Sequence, residues 1–125
     1  MPANQLSQVL PAKNRLRRSA DFSTVVRSGA RARRGSVVVH LHRTVDAVEL
    51  DPVAAPKVGL IVGKAVGNSV VRHQVSRRLR AQLAARVQQL PLGSLAVVRA
   101  LPAAADVTSQ ELGSDLDSAI AKVLR

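Results

Sequence analysis

The sequence predicts an α+β fold, a single-domain sandwich in which helices pack over one mixed β-sheet. Its length of 125 residues leaves room for one core. Segments with a helical period and segments with a strand period follow one another in the order helix, strand, strand, helix, strand, helix. Phe22 is the only aromatic residue among the 46% of residues that are hydrophobic, so aliphatic side chains must build the core. This order in one short chain predicts helices that cover a single sheet.

The N-terminal segment is predicted to be a basic arm followed by a short helix. Residues 1–18 have no sustained period and end in the cationic run KNRLRR, which favours an extended arm with residues 1–12 flexible. A helix is expected over residues 20–28, with Ser19 as its N-cap and Gly29 as its stop. Three apolar residues share one face of this helix: Phe22, Val25 and Val26.

The middle of the chain is predicted to supply two main strands. Residues 36–43 are rich in β-branched residues, and their alternation separates Val37, Val39 and Leu41 from Val38, His40 and His42. A short additional strand can form at residues 30–34. Residues 44–56 contain Pro52, Pro56 and three acids and are expected to form a loop. The near-continuous apolar run of residues 57–64 predicts a strand in the centre of the sheet.

The C-terminal half is predicted to contain a long helix, a strand and a last helix. Residues 69–90 lack Pro and Gly and carry an apolar residue at every fourth position. Residues 95–101 are expected to form the third main strand. Thr108 and Glu111 have the spacing of a capping box, which begins the last helix.

The charge of the chain indicates a polyanionic partner. The net charge is +11, which causes self-repulsion unless a polyanion neutralises it. Asp21 is the only acid in residues 1–45, and residues 52–105 contain none. All other acids lie in residues 46–51 and 106–117. Nucleic acid is therefore the expected ligand, and the whole chain, residues 1–125, is predicted to be one RNA-binding domain.

Other classes of protein are disfavoured by the composition. The absence of cysteine excludes disulfides, thiolate zinc sites and thiol nucleophiles, and it agrees with a reducing cytoplasm. No apolar run approaches the length of about 20 residues that spans a bilayer, so no membrane association is expected. The basic region lacks the carboxylates that a two-metal nuclease requires, and three scattered histidines make a poor metal site. His40 and His42 could in principle act as acid and base, but this possibility carries little weight.

The most informative stretch is GLIVGKAVGNSVVRHQVSRRLR, residues 59–80. On a helix, the apolar residues of this stretch fall on one side and the cationic residues on the other. A solvated surface is the ordinary explanation of such a cationic side. Because the helix has no Asp or Glu, however, no ion pairs along it balance the charge, and contacts with phosphate are favoured.

This stretch resembles the signature of the bacterial ribonuclease P protein family, whose pattern is roughly VGNAVxRNRxKRxxRE. The matching residues are Lys64, Gly67, Asn68, Val70, Arg72, Arg77 and Arg80. The resemblance extends to KNRLRRSADFSTVVRSG and covers roughly residues 10–124. The chain departs from the pattern at His73, Gln74 and Ser76, and Ala65 replaces the second residue of the usual Lys pair. Arg78 adds a charge at a usually apolar position.

The resemblance implies a left-handed crossover around the long helix and a division of labour with a catalytic RNA. The RNA subunit holds the magnesium ions and hydrolyses the phosphodiester, whereas the protein holds no cofactor or metal and no catalytic residue. The protein would bind this RNA and precursor tRNA and would assist 5′ maturation of tRNA, with no obligate protein partner. A ribosomal or other structural RNA-binding protein and a DNA-binding regulator are the alternatives.

The resemblance also implies two groups of contact residues, and the cationic segments before and after the first helix add a third. Those expected to contact the catalytic RNA are Lys64, Gly67, Asn68, Arg72, His73, Gln74, Ser76, Arg77, Arg78 and Arg80. Those expected to contact the 5′ leader of the precursor, in a cleft between the first helix and the sheet, are Phe22, Val26, Val38 and His40. Additional RNA contacts are expected from Lys13, Asn14, Arg15, Arg17, Arg18, Arg31, Arg33 and Arg34.

Overall fold

The computed structural model describes residues 10–43 and 55–125, which form a four-stranded sheet with helices on both faces. The order of elements confirms the predicted α+β class, and the additional strand is present. The helices and strands are α1 (Ser19–Ser28), β1 (Ala30–Arg34), β2 (Val37–Arg43), β3 (Lys57–Ile61), α2 (Ser69–Ala84), β4 (Ser94–Ala100) and α3 (Ser109–Val123). Within these described ranges no helix has the length and apolarity needed to cross a membrane.

The sheet is mixed and has the strand order β1-β2-β4-β3. Strand β2 pairs antiparallel with both β1 and β4, whereas β3 pairs parallel with β4. The prediction that residues 57–64 form a central strand is therefore wrong, because β3 lies at an edge. Its apolar character has another cause: Val58 faces the core, Phe22 covers Gly59, and the Leu16 N–H donates to the Val58 carbonyl at 2.9 Å. The left-handed course of the β3–α2–β4 crossover stays an expectation.

The main core lies between one face of the sheet and the helices α2 and α3. Val39 and Val98 of the central strands are about 1% exposed, and Leu79 of α2 and Leu116 of α3 are fully buried. These residues recur with a strand period in β2 and β4 and with a helical period in α2 and α3. The aliphatic residues that the sequence assigned to the core thus form it, without any aromatic ring.

The segment before α1 differs from the predicted arm. Leu10 and Leu16 are 2% and 6% exposed, and the Asn14 Nδ2 donates to the Pro56 carbonyl at 2.8 Å. Residues 10–16 are therefore packed against the domain, because Leu10 and Leu16 within this basic segment are buried beside β3. Residues 1–9 of the predicted arm and residues 44–54 of the predicted loop lie outside the described residues.

The helix ends differ from the predictions in two places. Ser19 is the first residue of α1, and Arg18 occupies the N-cap position without a side-chain cap. Helix α2 ends at Ala84 and not at residue 90, and a short 3-10 turn follows at Val87–Gln89. By contrast, the capping box of α3 is confirmed, because Thr108 and Glu111 exchange side-chain to backbone hydrogen bonds.

A carboxylate of α3 holds the turn between β1 and β2. The Asp115 Oδ2 accepts hydrogen bonds from the Ser36 N–H at 2.9 Å and from the Ser36 Oγ at 2.6 Å. Gly35 beside it has a φ of 54°, and a Cβ at this position would lie 2.5 Å from both Asp115 carboxylate oxygens. Gly35 is thus required both by its conformation and by the close approach of the carboxylate.

We predict that Asp115→Ala lowers the free energy of unfolding by about 1 to 3 kcal/mol, because the buried Ser36 groups lose their acceptor. Ser114→Ala, an exposed change on the same helix, is the control and should stay within about 0.5 kcal/mol of the parent. Urea unfolding followed by circular dichroism measures both. Equal stability of the two variants would show that the carboxylate does not hold the turn.

Candidate nucleic-acid interface

Helix α1 covers only part of the second face of the sheet. Its Val25 is fully buried against Val97 of β4, and Leu16 completes this small second core. The Phe22 ring lies so close to Gly59 that a Cβ there would overlap Phe22 Cζ. Two grooves lie beside this helix, one lined by Val26 and the other by Phe22.

The first groove, here called the His40 groove, has a volume of about 180 Å³. Its lining combines apolar side chains with guanidinium groups from two strands. Its lining residues are Val26, Arg31, Arg33, Val38, His40, Arg99 and Leu101. The sheet register explains the arrangement, since Arg31 lies opposite His40 and Arg99 lies opposite Val38. Three of the four predicted leader contacts therefore meet in one place.

His40 is the central polar residue of this groove. It is 5% exposed, and its Nδ1 has no hydrogen-bond partner among the described residues. Burial lowers the pKa of the imidazole below its usual value of 6.5, and the positive charges of Arg31 and Arg99 lower this pKa further. The imidazole is therefore mainly neutral at pH 7, and its Nδ1 is enclosed by the protein without a hydrogen-bond partner among the described residues.

The second groove, here called the Phe22 groove, lies on the β3 side of α1 and has a volume of about 250 Å³. Phe22 lies in this groove and not with the other three predicted leader contacts. Its lining residues are Leu10, Arg15, Leu16, Arg17, Phe22, Val58, Gly59, Leu60 and Arg80. Arg80 reaches it from α2, so this groove connects the surface beside α1 with the cationic helix.

The first half of α2 presents the exposed part of the signature. His73, Gln74 and Arg77 are exposed and line one shallow surface with Ser69 and Val70. Val70 is 67% exposed, an unusual position for an aliphatic side chain. The buried residues of the same helix, Val75, Leu79 and Leu83, face the core. The predicted separation of an apolar and a cationic side is thus confirmed for this part of α2.

The turn before α2 holds the remaining signature residues. Asn68 caps the helix, because its Oδ1 accepts a hydrogen bond from the Val71 N–H at 3.0 Å. Gly67 has a φ of 155°, and a Cβ there would lie 2.9 Å from a Val71 methyl group. Asn68 and Gly67 therefore have structural reasons to be present. Lys64 is exposed within the 3-10 turn Lys64–Val66.

Arg72 is half-buried at the start of α2. Its Nη2 lies 3.5 Å from the Ser69 Oγ. Its Nε is buried and has no partner within the described part of the chain. Arg72 is positively charged and only half-buried, so it can contribute charge to an anionic ligand at this end of α2.

Not every predicted contact is available to RNA. The Nη1 of Arg78 donates to the Val107 carbonyl at 3.4 Å, so Arg78 is directed away from the exposed face of α2. Ser76 is half-buried and Asn14 is buried in its bond to Pro56. The Nη1 of Arg34 donates to the neighbouring Arg33 carbonyl. The other predicted additional contacts are exposed: Lys13, Arg15, Arg17, Arg18, Arg31 and Arg33.

Sequence reasoning missed Arg99. Its position was available from the alternation of β4, where Arg99 shares a face with Leu95 and Val97, but its proximity to His40 depends on the pairing of β4 with β2.

In the described ranges no cluster of three or more His, Cys, Asp or Glu residues could hold a metal ion.

Three of the five described acids lie in α3, whereas Asp21 lies in the first turn of α1, next to Phe22. Glu111, Asp115 and Asp117 belong to α3, which packs on the opposite face of the sheet. Asp117 forms an ion pair with Arg86 at 2.7 Å, and Asp115 binds the turn at Ser36. The arginines that line the two grooves outnumber Asp21, so the face that carries α1 has a positive field.

The fold and this surface define a class: a small basic α+β protein in which one helix divides a cationic sheet face and a second helix presents arginines beside it. The Ribonuclease P family model matches residues 10–124, and the chain belongs to that family. A ribonuclease P protein component from Streptomyces griseus is 50% identical over 118 residues, which are 93% of this chain and 96% of the relative. Another, from Corynebacterium diphtheriae, is 44% identical over 94% of this chain and 98% of the relative.

Solved structures of RNase P proteins have the same fold as this chain. The Staphylococcus aureus RNase P protein superposes with a TM-score of 0.73 at 25% identity over 90% of this chain and 98% of the other. The Thermotoga maritima protein, at 19% identity, shares the fold with a TM-score of 0.68 over 83% of this chain and 92% of the other. The chain is thus a protein subunit of the ribonucleoprotein endoribonuclease that processes tRNA, in which the RNA subunit performs the hydrolysis. This membership decides against the ribosomal and DNA-regulator alternatives.

We predict that His40 makes the fold less stable in mild acid. The unfolded state takes up a proton near pH 6.5, whereas the folded state, with its lowered pKa, does so only at lower pH. The unfolded state binds more protons in that window, so the His40 contribution to stability falls as the pH drops through 6.5. His40→Gln should therefore lose less stability than the parent between about pH 7.5 and 5.5 in urea unfolding. An equal loss in both proteins would contradict the lowered pKa.

Proposed function

We propose that this chain binds the ribonuclease P RNA through the start of α2 and binds the 5′ leader of precursor tRNA in the grooves beside α1, and so assists 5′ maturation of tRNA. One observation carries the proposal: the sheet face opposite α3 has apolar grooves bordered by guanidinium groups. RNA with unpaired bases needs this combination, because its bases require apolar or planar surface and its phosphates require cations.

The His40 groove suits a single strand better than a duplex. Its floor is formed by Val38 and His40, which are both at most 5% exposed, so a base has to leave a stack to reach them. Arg31 and Arg99 border the floor on two neighbouring strands. A leader is single-stranded, whereas the mature tRNA body is largely duplex, and this difference favours the leader as the ligand.

The surface of α2 suits a folded RNA backbone. His73, Gln74 and Arg77 are exposed on a rigid helix that is anchored by Leu79 and Leu83. A helix that offers spaced donors can contact successive phosphates without reading bases. We therefore assign α2, with Lys64 and Arg72, to the RNA subunit and the grooves to the substrate.

The remaining chemistry belongs to the RNA. We propose that the magnesium ions of the reaction are held by the RNA subunit, that the protein carries no cofactor, and that no further protein is obligatory. Because the curated relatives are bacterial proteins named for ribonuclease P, we place the particle in the cytoplasm, where bacterial tRNA is processed.

Reconstitution tests the proposed function. Precursor tRNA is incubated at low magnesium with the ribonuclease P RNA of the same source, with and without this protein. We expect cleavage at the 5′ end only when both components are present. The positive charge of the protein replaces the charge that a higher magnesium concentration otherwise supplies. No gain from the protein would refute the proposed assistance, and cleavage by the protein alone would refute the assignment of the chemistry to the RNA.

Arg77→Ala should weaken binding of the RNA subunit, and the slope of log affinity against log salt should fall by about one, the value for one lost phosphate contact. Lys122→Ala is the matched control, because it removes one exposed charge from the last turn of α3, outside the surface assigned to the RNA subunit. Filter binding between about 0.1 and 0.4 M salt measures both. Equal effects of the two variants would show that only net charge matters.

Arg99→Ala should lower the affinity of the holoenzyme for precursor tRNA that carries a leader and leave the affinity for mature tRNA almost unchanged, because Arg99 borders the groove assigned to the leader. Fluorescence titration with both RNAs gives the ratio of the two affinities. An equal loss of affinity for both RNAs would show that the leader does not bind in the His40 groove.

A further inference from the structure

The turn that Asp115 holds follows the β1 wall of the His40 groove, which consists of Arg31 and Arg33. Ser36 in this turn is 1% exposed, and its N–H and Oγ donate to the Asp115 Oδ2 at 2.9 and 2.6 Å. The Ser36 carbonyl accepts a hydrogen bond at 2.9 Å from the N–H of Leu101, which lines the same groove. One buried serine therefore connects α3 with two strands that border the groove.

Strand β1 has little apolar contact of its own to fix its register. It is an edge strand that pairs only with β2, and Ala32 is the one buried residue in its sequence ARARR. Burial of apolar side chains ordinarily specifies the register of a strand, and an alanine methyl buries little area. On the groove face, Arg33 and Arg99 lie on the two sides of Val38, where their like charges repel.

We propose that Asp115 is a positioning residue for leader binding: by holding Ser36, it keeps Arg31 and Arg33 in the register that places them along the groove. This inference deepens the proposed function and rests on it, since it requires that the His40 groove bind the leader. Asp115 acts through the turn and does not touch the leader, because α3 packs in the main core, on the face of the sheet opposite α1.

The geometry of the turn shows which property of Asp115 matters. One oxygen, Oδ2, accepts both hydrogen bonds from Ser36, and a neutral amide oxygen can also accept two. A Cβ on Gly35 would lie 2.5 Å from both carboxylate oxygens, so the side chain packs closely on the turn and restricts its movement. Positioning therefore requires an acceptor of this size and does not require its negative charge.

Asp115→Ala in the reconstituted holoenzyme tests the proposal. The readout is the leader preference, defined as the affinity for precursor tRNA that carries a leader divided by the affinity for mature tRNA. A loss of folded protein reduces active holoenzyme equally for both RNAs and leaves the leader preference unchanged. A displaced β1 wall lowers it, and we expect a fall of about two- to tenfold. Circular dichroism verifies that each variant is folded at the temperature of the titration.

Two matched variants of α3 are the controls. Asp115→Asn keeps an acceptor oxygen without the charge and should retain the leader preference of the parent. Asp117→Ala removes the same charge from the same helix, where its partner is Arg86 and not the turn, and it should also retain the preference. An equal fall in Asp117→Ala and Asp115→Ala would overturn the proposal, because the charge or the stability of α3 would then be the cause.

Ser36→Ala provides a milder change at the same contact. It removes the Oγ hydrogen bond and leaves the bond from the Ser36 N–H, so the leader preference should fall less than in Asp115→Ala. This variant tests the proposal if Asp115→Ala does not fold. An unchanged leader preference in Ser36→Ala together with an unfolded Asp115→Ala would reduce Asp115 to a residue of the fold and overturn its positioning role.

A double-mutant cycle shows whether Asp115 acts through Arg33. Arg33→Ala should lower the leader preference of the parent, and it should lower it less in the Asp115→Ala background, because an arginine that is already displaced contributes less to binding. The two side chains lie on different faces of the sheet, so a direct contact between them does not explain such coupling. Additive losses would overturn the proposal, as would an unchanged leader preference in folded Asp115→Ala.

Arg99→Ala separates this inference from the proposed function. If Arg99→Ala lowers the leader preference while Asp115→Ala leaves it unchanged, the groove binds the leader and only the positioning role of Asp115 is refuted. If neither Arg99→Ala nor Arg33→Ala changes the leader preference, the leader does not bind in the His40 groove, and both proposals for it fail.

Discussion

The contact of α1 with the second face of the sheet is the constraint on which the binding surface depends. Val25 and Val97 are fully buried against each other, and Phe22 lies on Gly59. Without this helix, the two grooves would lose the wall that Val26 and Phe22 provide. A short helix fixed at its centre leaves two concave surfaces that share one positive field. The position of α1 therefore determines which side chains a ligand can reach.

The opposite face of the sheet makes this arrangement possible. There, α2 and α3 supply an aliphatic core that stabilises the sheet, and α3 uses its acids to hold the turn at Ser36 and the end of α2 at Arg86. The acids Asp115 and Asp117 of α3 thus have structural partners on one side, and the arginines of the His40 groove lie on the other. In a chain with a net charge of +11, this segregation keeps cationic repulsion high until RNA binds.

Much of the fold and part of the candidate site could be predicted from local sequence patterns. The strand period of β2 identified the face that carries Val38 and His40, and the capping box located the start of α3. The pairing between distant strands could not be predicted in this way, so the proximity of Arg99 to His40 was missed. The edge position of β3 was missed for a similar reason, since its apolar residues are covered by Phe22 and Leu16 from another part of the chain.

Other differences between the predicted and the observed structure also come from tertiary contacts. Helix α2 ends at Ala84 although no Gly or Pro follows immediately, and Arg86, just beyond this end, is bound by Asp117 of α3 and by Gln82. Arg78 has the helical position of a surface residue, yet the Val107 carbonyl accepts its hydrogen bond. Neither fact has a signal in the local sequence, because each depends on where α3 and the segment before it pack.

The central claim is that the two surfaces hold different RNAs, and site-specific crosslinking tests it most directly. The chain has no cysteine, so Leu101→Cys and Gln74→Cys each give one attachment point for a photoreactive group, in the His40 groove and on α2 respectively. In a holoenzyme with precursor tRNA, we expect crosslinks from position 101 to the leader and from position 74 to the RNA subunit. Crosslinks from both positions to the same RNA would contradict the division of the surface.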